Sequence, residues 1–343
     1  MTDLRQDSTP TPTAADPSSS APLSSSRPPR SDGSVLWRLG GVIQTTRPHQ
    51  WVKNVFVLAP VVFAKEIFDF ALLVRAAGAF VVFCLLAGAV YAMNDLADIE
   101  ADRQHPVKRH RPIPSGRVPT SWAKTLVLTL GVAAFFGSLG IEFALVSLGE
   151  SPIFGLFLAS AVAYLGINVA YTFRLKHIAY VDVGCISALF VLRVTAGGCA
   201  TNVHVSTYLL VCTALLALFL GFGKRRHELT SARANAKRQR AALDAYTKRG
   251  LDIALWATAL TTIGTYLAYT LDAHTREFFR TDWLWPSTLF VIFGVARFVN
   301  IVQTRPRAES PTQEMLKDGP FVLIVLLWAI LVMWVVYNLQ PGT

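Results

Sequence analysis

Four oxygen-bearing side chains, Asn94, Asp95, Asp98 and Asp102, are gathered in the run Asn-Asp-Leu-Ala-Asp-Ile-Glu-Ala-Asp at 94–102. On an α-helix each residue advances about 100°, so Asp95, Asp98 and Asp102 fall about 100°, 40° and 80° round from Asn94, on one stripe, while Glu100 points away. Carboxylates on one face repel unless a cation lies between them. Oxygen-only ligands suit Mg²⁺, which keeps waters and shares phosphate oxygens. The four residues are therefore candidate metal ligands, and a metal held by them would bridge to a diphosphate. Asp98 and Asp102 are the two on which turnover is expected to depend. A solvated helix end is the plainer reading, but one or two acids would suffice for it.

Basic residues follow at once: Arg103, then Lys108, Arg109 and Arg111 in the stretch HPVKRHRPIPSGR (105–117). Arginine offers a planar fork to phosphate oxygens and lysine a point charge, so Lys108, Arg109 and Arg111 are candidate phosphate contacts. A second group comprises Asn168, Tyr171, Arg174, Lys176, His177 and Asp182, of which Tyr171 and Lys176 are candidate substrate contacts and Asp182 a candidate catalytic acid. A third is Lys224-Arg225-Arg226, again a candidate phosphate contact. Arg193 lies within an apolar run, where an arginine is either paired inside the bundle or bound to ligand. The seven histidines show no metal-ligand spacing, and Cys84, Cys185, Cys199 and Cys212 read as small buried hydrophobes.

The elements that must position these groups are membrane spans. Of the 343 residues, 52% are hydrophobic and only 16% charged, against roughly a quarter charged in soluble proteins. Long apolar runs alternate with short basic segments. The fold expected is all-α and polytopic, with about nine transmembrane helices at approximately 51–66, 72–93, 122–141, 152–173, 180–199, 206–223, 251–271, 283–303 and 320–338. The first is short and interrupted by Pro60. Of 32 Lys and Arg residues, 27 fall in the N-terminal segment and in alternate loops, which places the N-terminus and the candidate site in the cytoplasm and the C-terminus outside. The net charge of +10 is accounted for by that bias, and no nucleic-acid partner is expected. Ala133 and Gly137, four apart, permit close helix approach, either within one bundle or in a homo-oligomer.

Residues 1–33, rich in Ser, Thr and Pro, read as a disordered tail with no apolar signal-peptide core. Residues 34–50 are expected to lie along the membrane surface, and part of loop 224–249 to form an amphipathic helix on anionic lipid. One transmembrane domain then covers 34–340.

NDLADIEAD resembles the first aspartate-rich motif, NDxxDxxxD, of the UbiA superfamily of membrane prenyltransferases. Three stretches look like its decaprenyl-phosphate phosphoribosyltransferase branch: RPHQWVKNVFVLAP (47–60), NDLADIEADRQHPVKRHRPIPSG (94–116) and LKHIAYVDVGCISALFVLRVTAGG (175–198), with GKRRHEL (223–229) in keeping. The resemblance covers roughly 40–340 and adds Lys53 as a substrate contact. It implies a UbiA-type bundle with cytoplasmic active-site loops in the plasma membrane and a bound Mg²⁺. It also implies a reaction in which a polyprenyl phosphate attacks 5-phosphoribosyl 1-diphosphate (PRPP) and diphosphate leaves, with a product that feeds cell-wall arabinan. One departure matters: many members have a second DxxxD cluster after the fourth span, where this chain offers Asp182 alone. That weakens the alternative within the superfamily, transfer of an isoprenoid from its diphosphate to an aromatic or other acceptor. A transporter is disfavoured because transporters place coupling carboxylates near the bilayer midplane, whereas these acids cluster at a helix end.

Overall fold

A computed structural model describes residues 34–149, 154–232, 245–304, 314–315 and 317–338. The tail 1–33 and the expected amphipathic stretch of loop 224–249, within 233–244, lie outside the described residues. The described chain is all-helical: α1 (Val35–Thr45), a 3₁₀ segment (Pro48–Leu58), α2 (Ala59–Phe63), α3 (Phe70–Ala97), α4 (Ile99–Gln104), α5 (Thr120–Ser147), α6 (Leu156–Phe173), α7 (Val181–Thr201), α8 (Thr207–Ala232), α9 (Lys248–Leu271), α10 (Ala273–Phe279), α11 (Ser287–Thr304) and α12 (Gly319–Asn338). Eight of these, α3, α5, α6, α7, α8, α9, α11 and α12, are long and apolar enough to cross a membrane.

The count of nine long helices is thus corrected to eight among the described residues. The run expected at 51–66 is a 3₁₀ stretch of 11 residues followed by a five-residue helix opened by Pro60 near its start. Proline lacks an amide proton and its ring blocks the preceding turn, so no continuous α-helix forms there. The two pieces nevertheless extend roughly 30 Å, at about 2.0 and 1.5 Å per residue. Arg47 before them meets Asp95 near the end of α3, and Val62 within α2 accepts a hydrogen bond from Tyr337 near the end of α12. The broken segment therefore runs from one end of the bundle to the other.

Its seat on α7 depends on Gly197, where an added Cβ would lie 1.9 Å from the Val57 carbonyl oxygen. Apolar clusters hold the bundle, two of them the largest among the described residues. One joins Phe83, Phe157, Tyr164 and Leu189, and the other Phe219, Leu255, Phe298 and Val299. At the far end from the acids, the buried Glu142 of α5 accepts from the backbone N–H groups of Gly155, Phe157 and Leu158 at 3.0, 2.7 and 3.1 Å. It satisfies donors that the first turn of α6 would otherwise leave unpaired. Of the small pair in α5, Gly137 packs inside the bundle, facing Val82 so closely that a Cβ would come within 2.9 Å, while Ala133 is exposed.

Candidate active site

The acidic stripe lies where α3 ends. Asp98 caps that helix with φ −99° and ψ 12°, and α4 begins one residue later. The i to i+4 backbone bonds continue through the break, Asp98 N–H to Asn94 and Asp102 N–H to Asp98, so the stripe survives in altered form. Asp95 and Asp102 are both 2% exposed. They converge on one guanidinium nitrogen, Arg111 Nη1, at 3.2 and 2.7 Å. Arg47 donates to Asp95 at 2.5 Å and lies over the ring of Tyr91, and Lys108 Nζ stands 3.6 Å from Asp102. Asp98 turns aside, to Lys176 Nζ at 2.9 and 3.1 Å. Asn94 accepts from the Thr172 hydroxyl.

The expected ligand set is therefore divided: a convergent pair, Asp95 and Asp102, with Asp98 on a separate lysine. Among the described residues no three His, Cys, Asp or Glu side chains gather closely enough to hold a metal. The helix break at Asp98 is the cause. Two buried carboxylates converging on one cationic nitrogen still present the hard oxygen donors that Mg²⁺ takes, since that ion is commonly held by one or two carboxylates with substrate phosphates completing the shell. The residues fit the ion on that basis.

What positions Arg111 is the loop after it. Pro112, Ile113 and Pro114 are buried, and Ile113 packs with Val118 and Ala123 against Val42, Leu96 and Ile99. The apolar plug fixes the loop on the end of α3, and Gly116, at φ +78°, turns it back toward α5. Arg109 is exposed and donates to His110.

The second and third sequence groups meet each other. Asp182, 1% exposed at the start of α7, is ion-paired with Arg225, whose Nε lies 2.7 Å away, and accepts a hydrogen bond from the Tyr246 hydroxyl at 2.5 Å. Tyr246 also accepts from Tyr180 N–H at 2.7 Å. Burial and the bond to Asp182 push the Tyr246 phenol well above its ordinary range. Arg225 also donates to Glu228, and Arg226 is engaged by Asp252 at 2.6 Å and by Thr230. Of the basic triplet, Arg225 and Arg226 are thus occupied by carboxylates, and Lys224 reaches Glu228 at 4.0 Å. Tyr171 is half-buried near the end of α6. Arg193 is a buried anchor whose three nitrogens donate, each at 2.9 Å, to Asn54, the Leu189 carbonyl and Tyr164. Asn54 is the residue after Lys53.

Three contributors escaped the sequence reading. Arg47 stands 48 residues from its partner, Asp95. Thr172 and Tyr246 carry ordinary polar side chains without a motif. Only Arg47, within the RPHQWVKN stretch, carried a signal, as a cation just before the broken segment.

The UbiA prenyltransferase family model matches residues 55–316. The chain belongs to the UbiA prenyltransferase family. Among curated relatives of this UbiA protein, the decaprenyl-phosphate phosphoribosyltransferase of Mycobacterium tuberculosis is 35% identical over 294 residues, covering 84% of this chain and 92% of the relative. The enzyme of the same name from Corynebacterium glutamicum is 31% identical over 300 residues, 87% of each chain. A UbiA homolog from Archaeoglobus fulgidus, solved bound to DMAPP and Mg²⁺, superposes with a TM-score of 0.61 at 18% identity, over 87% of this chain and all of that one. That likeness shows that the UbiA fold is shared.

Proposed function

We propose that this chain transfers the 5-phosphoribosyl group of PRPP to decaprenyl phosphate, or a near polyprenyl phosphate, with release of diphosphate. The observation that carries the reading is the interleaving of acids and phosphate-type cations at one end of the bundle. Asp95 and Asp102 sit between Arg47, Arg111 and Lys108, with Asp98 on Lys176. The names of relatives that match almost end to end agree with it. The positive charge bias of the loops supports reading this end as the cytoplasmic one of a plasma-membrane protein. The lipid product would supply arabinose donors for cell-wall arabinan, as the family resemblance implies.

The chemistry asks little proton transfer of the protein. An oxygen of the acceptor phosphate, already anionic, forms a bond to the anomeric carbon. The carbon–oxygen bond to diphosphate breaks, and diphosphate leaves with the electron pair. No general base is needed, so the barrier falls mainly by positioning and by charge stabilisation. Asp95 and Asp102 would hold Mg²⁺, which would supply neutralisation of the leaving diphosphate. Arg47, Lys108 and Arg111, which face those carboxylates, are placed to take phosphate oxygens. Asp98 and Lys176 pair at the same end of the bundle.

The test is transfer of radiolabel from PRPP to an organic-extractable lipid by purified protein with polyprenyl phosphate, with and without Mg²⁺. Mg²⁺-dependent labelled lipid supports the proposal. No labelled lipid from folded protein, together with turnover of an isoprenoid diphosphate, would replace it with prenyl transfer.

A further inference from the structure

Helix α1 carries an apolar face that the described chain leaves open. Val35, Leu36, Leu39 and Ile43 are between 46% and 79% exposed. Relative to Val35, the other three fall about 100°, 40° and 80° round the helix, so the four form a single stripe.

The opposite side of α1 is fixed to the loop that carries Arg111. Arg117 Nε donates to the Trp37 carbonyl at 2.8 Å, and its Nη1 donates to the Gln44 side chain at 2.9 Å. The same guanidinium lies over the Trp37 ring, 4.9 Å from its centroid. Gly41 stands so near Val118 that a Cβ would come within 2.9 Å. Val42, on the flank, packs against the Ile113 plug.

At its C-terminal end α1 descends beside the spans. Thr46 caps the helix and rests on Gly88 of α3, where an added Cβ would meet Thr46 Cβ and Leu130 Cδ1 of α5, each at 3.2 Å. Gly88 precedes Asp95 by seven residues, about 10 Å along α3, and Leu130 lies ten residues into α5, about 15 Å from its start. Both helices are long and apolar enough to cross a membrane. The level of α1 therefore runs from the Arg111 loop to a depth inside the spans. Its stripe continues the exposed apolar surface of α5, where Leu128 is 68% exposed. An apolar helix face at that depth is covered by the headgroup and acyl boundary of the bilayer.

Beyond Thr46, Arg47 turns the chain at φ +51° and reaches Asp95. Helix α1 thus holds two site cations, Arg47 at its end and Arg111 through the loop on its back. A shift of α1 moves both.

We propose that the α1 stripe is seated in the acyl boundary of the bilayer, and that this seating positions Arg47 and the Arg111 loop over Asp95 and Asp102. The positioning half rests on the phosphoribosyl-transfer reading, and the seating does not.

The experiment has two arms, both with the full chain in nanodiscs of phosphatidylglycerol and phosphatidylethanolamine. In the first, photoreactive p-benzoylphenylalanine replaces Leu39, with Leu128 as a lipid-facing reference and Arg103 as an aqueous one. Irradiation is expected to give phospholipid adducts at 39 and 128 and none at 103. An adduct at 128 without one at 39 would overturn the seating. A protein–protein crosslink at 39 would give the stripe to a second copy of the chain instead.

The second arm compares wild type with the double substitution Leu36→Asn and Leu39→Asn, which makes the stripe polar, and with Leu36→Met and Leu39→Met, which keep it apolar. It reads equilibrium binding of PRPP with Mg²⁺ and steady-state transfer to a polyprenyl phosphate. The polar pair is expected to raise the Kd and the KM for PRPP by about tenfold, the weight of one charge-assisted hydrogen bond. Its kcat at saturation should change much less, and the methionine pair should match wild type. A lower thermal midpoint with unchanged PRPP constants would reduce α1 to a structural element and overturn the positioning. If wild type neither binds nor transfers PRPP, the functional reading fails by itself, and the adduct pattern still decides the seating. Should the polar pair fail to fold, Leu39→Asn alone carries the same comparison.

Discussion

Arg225 near the end of α8 forms an ion pair with Asp182 at the start of α7, its Nε 2.7 Å from the carboxylate, with side-chain exposures of 2% and 1%. Asp182 is closed on its other side by the Tyr246 hydroxyl at 2.5 Å, which comes from just before α9. Three elements are therefore tied by one carboxylate. The pair is a structural tie between helix ends as much as a part of the site, and that gives it a stability signature different from that of Asp98.

Removing one partner of a buried ion pair typically costs roughly 3–5 kcal/mol; without Asp182, Arg225 keeps Glu228 alone and the Tyr246 hydroxyl loses its acceptor. Asp182→Ala should therefore lower the thermal midpoint in detergent markedly. Asp98→Ala, whose carboxylate is 44% exposed on Lys176, should cost about 0–1 kcal/mol while abolishing transfer. Equal loss of stability in the two variants would contradict this division.

Asp102 meets Asp95 at Arg111 and is the second member of the proposed metal pair. Asp102→Asn keeps the shape and removes the charge. Transfer is expected to fall by about a hundredfold or more, and the Mg²⁺ concentration for half activity to rise, because even groups that only orient a ligand typically change metal affinity by about 10- to 100-fold. Chelation should silence the wild type, with recovery on adding Mg²⁺. A normal Mg²⁺ dependence in active Asp102→Asn would remove this residue from the metal site.

Arg193 holds Asn54, Tyr164 and the Leu189 carbonyl within the bundle. Arg193→Met fills much of the volume but leaves those groups without their donor, at roughly 1–3 kcal/mol for each buried group left unsatisfied. Thermal unfolding should register the loss. Activity per folded molecule should fall, because the segment bearing Asn54 and its neighbour Lys53 is no longer pinned. A variant as stable as wild type would argue against the anchor.

Gly197 faces the Val57 carbonyl at a distance that admits no side chain. Gly197→Ala forces the broken segment away from α7. Overpacking of this kind typically costs about 1–3 kcal/mol, and here the obstacle is backbone, which yields least. The expected result is reduced yield and a lower thermal midpoint. Gly131→Ala, where a Cβ meets nothing within 4 Å, serves as the control and should be neutral.

Much of this was legible in the residue order. Apolar runs separated by basic loops gave eight of the helices, because hydropathy and length are local properties. The one misread run, 51–66, contains a proline whose consequence for helix continuity outweighs its neighbours' hydrophobicity. The acid stripe was visible through helical periodicity. Its division into a pair and a separate Asp98 was not, since periodicity assumes an unbroken helix and Asp98 is itself the break.

By itself, the sequence determined a membrane-spanning helical chain of the UbiA type with its carboxylates and cations at one end. Composition, spacing and charge bias are enough for that. Which cation meets which acid was decided by the tertiary structure alone. Lys176 and Asp98 are 78 residues apart, and Arg193 and Asn54 are 139 apart. These meetings depend on a buried Ile113 plug, a glycine that lets two backbones touch and a helix that stops at Asp98. The same packing engages Arg225 and Arg226 with carboxylates and leaves Lys53 without one, because an ion pair is set by where side chains converge in space.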